Sequence, residues 1–236
     1  MDINNKSEPQ PSLTMQTENP DIRHKLAEST SEKDLGITVT NNLKFESHVF
    51  KAASKASSVL GQLKRTFKNW TIKNFLTLYT AYVRPHLEYS APVWSPYRKQ
   101  DIKILEKVQR KATKLVPELK KLSYEERLDA LNLTTLEERR IRGDLIQLFK
   151  VRFGFNIVNW QKKLISASLL PTRSSQNNLV VPPISRVAQL ENSFLYRTIP
   201  IWNKLPVYVT SSLTTNQFKN RLEKHIRKPE KKTLSS

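Results

Sequence analysis

The sequence predicts a mainly α-helical fold with a small β element near the N-terminus. Three observations lead there. Only 4 of 236 residues are glycine, and long Lys-, Leu- and Glu-rich stretches favour helix over an all-β fold. Apolar residues also recur at helical spacing through most of the middle of the chain. A hydrophobic fraction of 38% at this length is enough for one or two domains with a core.

Residues 1–11 are polar and Pro-containing and read as a disordered leader. Three short β-like pieces are expected over 12–40. Leu13 and Met15 alternate with polar neighbours, His24 to Ser29 forms a second piece, and Glu32 to Thr40 a third, with Leu35, Ile37 and Val39 on one face. Asn41-Asn42 marks a turn.

The first long helix is predicted from Glu46 to Lys68, with Val49, Ala52, Ala53, Ala56, Leu60, Leu63 and Phe67 as its apolar stripe. Lys51, Lys55, Lys64, Arg65 and Lys68 lie off that stripe. A second helix, Thr71 to Val83, turns Phe75, Leu76, Tyr79, Tyr82 and Val83 inward, and Pro85 should kink or stop it. Pro92 and Pro96 keep the next stretch irregular. A two-faced helix follows over 101–116. Ile102, Leu105, Val108, Ala112, Leu115 and Val116 fall on one side, and Lys103, Lys107, Arg110, Lys111 and Lys114 on the other. Glu106 alone interrupts the cationic run, and it points elsewhere.

Capping boxes at Ser123–Glu126 and Thr135–Glu138 open helices to Leu131 and to about Phe153. Residues 156–190 read as an irregular linker, with a short strand at Leu179 to Val181. Asn192 to Pro206 reads as a docked packing element, and a last helix starts at Thr214 with Gln217 and turns Phe218, Leu222 and Ile226 inward. The resulting division is 12–45, a helical domain 46–155, the linker 156–190, a C-terminal element 191–228 and a loose tail 229–236.

Charge is the strongest compositional signal. The formal net charge is +19. Residues 1–39 carry 4 basic and 7 acidic side chains, net −3; residues 40–155 carry 23 and 11, net +12; residues 156–236 carry 13 and 3, net +10. A helical body this basic attracts polyanions, nucleic acid first. Absence of cysteine excludes disulfides, thiolate metal sites and cysteine nucleophiles, and suits an intracellular setting. No apolar run is long enough for a membrane span.

Catalytic patterns are missing from the sequence. The four histidines, His24, His48, His86 and His225, form no helical i, i+4 pair. There is no Gly-rich phosphate loop, and no two of the six aspartates are adjacent. No cofactor is expected. Trp70, Trp94 and Trp202 each lie among apolar neighbours, which favours core packing over base stacking.

The stretches EKDLGITV (32–39), RPHLEYSAPVWSPYRKQDI (84–102), LEKVQRKATKLVPELKKLSYEERL (105–128) and LTTLEERRIRGDLIQLFKV (133–151), then NSF (192–194), WNKLP (202–206) and FKNRLEKHI (218–226), stand in an order and spacing that carry a family resemblance. Together they resemble the C-terminal, post-palm part of the reverse transcriptase of non-LTR (LINE-type, jockey-like) retrotransposons.

The resemblance implies a thumb-like helical bundle, a β-hairpin remnant of the palm end before it, and an irregular C-terminal helical region. In that family the bundle grips the template–primer duplex and an Asp-Asp motif holds the catalytic metals. No such motif stands here, so the family's catalytic residues map onto no position. The implied function is a catalytically incomplete fragment that binds RNA or RNA–DNA duplex without sequence preference. Lys51, Lys55, Lys64, Arg65 and Lys68, and Lys103, Lys107, Arg110, Lys111 and Lys114, are its contacts, and no metal site is expected. The alternatives are an interaction module that binds an intact reverse transcriptase, or an expressed fragment without function.

Overall fold

A computed structural model describes residues 14–16, 23–25, 28–158, 178–179 and 186–227. The leader 1–11, the tail from 228, most of the linker, and Val180 and Val181 of the expected strand lie outside the described residues.

Two short antiparallel hairpins come first. Strand β1 (Thr14–Gln16) pairs with β2 (Arg23–Lys25), and β3 (Ser31–Asp34) pairs with β4 (Ile37–Thr40), with Asp34 opposite Ile37. The expected single piece from Glu32 to Thr40 is therefore two strands. The chain reverses at Leu35-Gly36, whose φ angles are 47° and 85°. Positive φ at both central residues is the turn that matches strand twist, and glycine adopts it freely. Leu35 consequently sits at the tip, 82% exposed, and not on a face shared with Ile37 and Val39. Ile37 and Thr38 are buried against the helices.

Helix α1 (Glu46–Thr66) buries His48, Val49, Ala52, Ala53, Ala56 and Leu60. Its predicted stripe holds except at the end, where Phe67 leaves the helix and is exposed against the edge of Trp70. Helix α2 (Ile72–Leu78) is capped by the Thr71 hydroxyl, which accepts from the Asn74 N–H. It passes into a π-helical segment (Tyr79–Val83) and then α3 (Arg84–Glu88).

Pro85 therefore does not end the helix. The wider π turn comes just ahead of it, and the proline falls in the first turn of α3, where an N–H is not required. The extra residue in that turn rotates Tyr82 outward; it is exposed, whereas Phe75, Tyr79 and Val83 are buried as expected. Pro92 similarly opens a short helix, α4 (Ala91–Trp94), in a stretch expected to be irregular.

Helix α5 (Lys99–Thr113) is followed by a 3-10 turn (Pro117–Leu119), α6 (Tyr124–Ala130) and α7 (Leu136–Arg152). Both predicted capping boxes are formed: the Ser123 and Thr135 hydroxyls accept from Glu126 and Glu138 N–H, and each glutamate accepts the cap residue's N–H in return. Three short or medium helices, α8 (Ala188–Glu191), α9 (Phe194–Asn203) and α10 (Val207–Thr210), lead to α11 (Thr215–Arg227). Thr214 caps the last as expected, its hydroxyl accepting from Gln217 N–H.

Two apolar cores result. The first joins Ile37 to Val49, Leu60, Phe75, Val83, Leu87 and Trp94, and to Leu105, Val108, Ala112 and Leu136. The second joins Leu145, Leu148 and Phe149 of α7 to Leu179, Ile199, Trp202, Val209, Phe218 and Leu222. Phe149 stacks on Phe218 at 4.4 Å between centroids, and Trp202 on Phe218 at 5.6 Å. Helix α7 thus enters both cores, with Leu136 in one and Phe149 in the other. The α7–α9 junction is tied by Arg197, which pairs with buried Asp144 at 2.8 and 3.2 Å and also donates to the Pro92 and Asn192 carbonyls.

Candidate nucleic-acid interface

All ten predicted cations are exposed. On α1 the alanine-rich inner face sends Lys51, Lys55, Lys64 and Arg65 outward, with Lys68 just beyond the helix end. On α5 the inner face is Leu105, Val108 and Ala112, so Lys103, Lys107, Arg110, Lys111 and Lys114 face solvent. Among the described residues only Arg110 of the ten sits in an ion pair, with Glu125 at 3.8 Å; its guanidinium also lies 3.9 Å over the Tyr124 ring. The other nine make no ion pair among the described residues. Lys64, Arg65, Arg110 and Lys111 stand in last helical turns, where they also complement the helix dipole.

Glu106 explains why α5 stays cationic. It is 9% exposed and turned inward. One carboxylate oxygen accepts from the Tyr124 hydroxyl and, at 3.4 Å, from the Gln109 amide; the other accepts from Leu136 N–H at 3.1 Å, at the start of α7. Gln109 is fully buried, accepts from Tyr79 hydroxyl at 2.6 Å, and donates to Tyr124 and to the Thr134 carbonyl. Burial, then the hydrogen bond to Glu106, pushes the Tyr124 phenol well above its usual pKa. Nearby Arg140 is buried, and neither its Nη1 nor its Nη2 has a hydrogen-bond partner. Burial depresses its pKa, offset first by Glu106 and then by Glu137.

The cations do not form one patch. Lys103, Lys107 and Arg110 line a cleft with Lys99, Tyr124, Glu106, Glu125 and Glu137. Lys51 and Lys55 line a separate cleft of about 470 Å³ with Lys33, Gly36, Thr38, His48, Ala52, His86 and Tyr89. Lys64, Arg65, Lys68, Lys111 and Lys114 line neither. The starts of α1 and α5 are joined by an ion pair between Glu46 and Arg98.

Sequence reasoning missed Lys33, His48, His86 and Tyr89. They come from β3, α1, α3 and the residue after α3, and no period in the sequence links them. In the structure the Thr38 N–H donates to His48 Nδ1 at 3.2 Å, and Lys51 Nζ donates to the Thr38 hydroxyl at 3.1 Å. Burial, then the Lys51 charge, lowers the His48 pKa. A neutral imidazole that accepts at Nδ1 carries its proton on Nε2. The Tyr89 hydroxyl donates to the Leu35 carbonyl at 3.1 Å and holds the hairpin tip.

Trp70, Trp94 and Trp202 are buried, as their apolar neighbours predicted. Among the described residues there is no group of three or more His, Asp or Glu side chains able to hold a metal ion. No helix among them is long and apolar enough to cross a membrane.

Over 111 residues the chain is 31% identical to an uncharacterized protein of Caenorhabditis elegans, a match covering 46% of this chain. The match spans 56% of that relative's length. No family model and no solved structure matches the chain.

Proposed function

We propose that this chain is a helical nucleic-acid-binding module of non-LTR reverse-transcriptase descent, holding RNA or an RNA–DNA duplex by its phosphates. The observation that carries this reading is the outer face of α5. Four cations stand there and a fifth, Lys114, just past its end, and the one carboxylate within the run is spent inward on Tyr124 and Leu136.

Ammonium and guanidinium groups on a rigid helix neutralise phosphates, release counterions, and read no base sequence. Among the described residues Trp70, Trp94 and Trp202 are buried, which supports backbone contact over base stacking by these rings. The sequence holds no adjacent aspartate pair, and the module takes the role of grip, with no phosphoryl transfer of its own. Binding of a labelled RNA–DNA hybrid tests this. Lys103→Ala, Lys107→Ala and Lys111→Ala together should abolish most of the affinity at moderate salt, and unchanged affinity would refute it.

A further inference from the structure

We propose that the cleft between the β3–β4 hairpin, α1 and α3 is a site for a phosphate monoester, the 5′-phosphate of a mononucleotide or of a strand end. It goes beyond duplex gripping, since a small ligand is enough to fill it.

Three lysines line this cleft, Lys33 from the hairpin and Lys51 and Lys55 one helical turn apart on α1, together with His86. No carboxylate lines it. Glu32 and Asp34 flank Lys33 in β3, and strand alternation puts them on the other face. Cations gathered in this way favour a compact anion of high charge. A phosphate monoester carries about −1.5 to −2 charge near neutral pH and three acceptor oxygens, against a single charge on a backbone diester.

The frame is held in place before any ligand arrives. Lys51 is steered by its bond to Thr38, and His48 is fixed by the Thr38 N–H. Tyr89 also lines the cleft, is 58% exposed, is anchored through its hydroxyl to the Leu35 carbonyl, and offers a ring on which a base can stack. Gly36 lets the turn take φ +85° beside the Tyr89 ring. A cleft of about 470 Å³ falls within the roughly 300–1,000 Å³ of small-molecule sites.

The test uses the full chain and two matched pairs of probes: adenosine 5′-monophosphate against adenosine, and a short single strand with a 5′-phosphate against the same strand with a 5′-hydroxyl. Amide NMR shifts of Gly36 and Thr38 report the cleft. The phosphorylated member of at least one pair should bind about tenfold or more tightly than its partner, the gain expected from a charge-assisted contact set. Lys33→Ala or Lys55→Ala should erase that gain, and Lys120→Ala should keep it. A gain for the mononucleotide alone assigns a free ligand, and a gain for the strand alone assigns a strand end. No gain in either pair overturns the proposal. Loss of hybrid binding with mononucleotide binding intact would sink the duplex-gripping reading and leave this one standing.

Discussion

The carboxylate of Glu106 accepts the backbone N–H of Leu136 at 3.1 Å and so caps the start of α7 from the middle of α5. The same side chain takes the Tyr124 hydroxyl. One residue therefore joins three helices and at the same time removes the only negative charge from the cationic run.

Glu106→Ala should destabilise the fold by about 2–4 kcal/mol, because the buried Tyr124 hydroxyl and Leu136 N–H lose their acceptor. Glu106→Gln keeps an acceptor oxygen and should lose less. Urea unfolding measures both. Equal loss in the two variants would mean that the charge, and not the acceptor geometry, carries the stability.

Leu35→Asn should stabilise the chain by up to about 1 kcal/mol, since asparagine tolerates the left-handed backbone that leucine occupies unfavourably. The side chain is almost fully exposed, so little packing is lost. Gly36→Val should do the opposite, because φ is +85°, a backbone conformation that a β-branched residue adopts only under strain. Thermal unfolding of the pair checks the sign of each change.

Thr135→Ala should cost about 1 kcal/mol by removing the acceptor for the Glu138 N–H. Thr135→Ser should restore most of it. A denaturation series that finds both variants at wild-type stability would rule out the capping contribution.

His48 makes stability depend on pH. Its folded pKa lies below the unfolded value, through burial first and Lys51 second. As pH falls below about 6.5 the unfolded chain takes up a proton that the folded chain resists, so ∂ΔG/∂pH is positive there. This contribution is fully present above the unfolded pKa and is lost as pH falls toward the lower folded one. His48→Asn, which keeps an acceptor for the Thr38 N–H, should flatten the dependence of the urea midpoint below about pH 6.5. An unchanged profile in the variant would assign the dependence to other groups.

Much of this fold was readable from sequence. Helix starts at Ser123, Thr135 and Thr214 announce themselves through a hydroxyl and a Glu or Gln three residues on, and all three form. The inward face of α5 follows from period alone. Tyr82 and Pro85 were not readable, because the π turn between α2 and α3 depends on how the chain packs around the proline. The turn at Leu35 was hidden by a leucine in a backbone conformation that leucine rarely adopts. As for the site, exposure of the ten cations could be read from helix faces. The gathering of Lys51 and Lys55 in one cleft and of Lys103, Lys107 and Arg110 in another could not, since it depends on which helices and hairpin meet.

The most direct measurement is hybrid-duplex affinity across a salt series from about 50 to 200 mM. If the five α5 cations engage phosphates, log affinity should fall with log salt at a slope of roughly −4, and each of Lys103→Ala, Lys107→Ala and Lys111→Ala should reduce that slope by about one. A flat dependence, or a slope indifferent to these substitutions, would contradict a phosphate grip on α5.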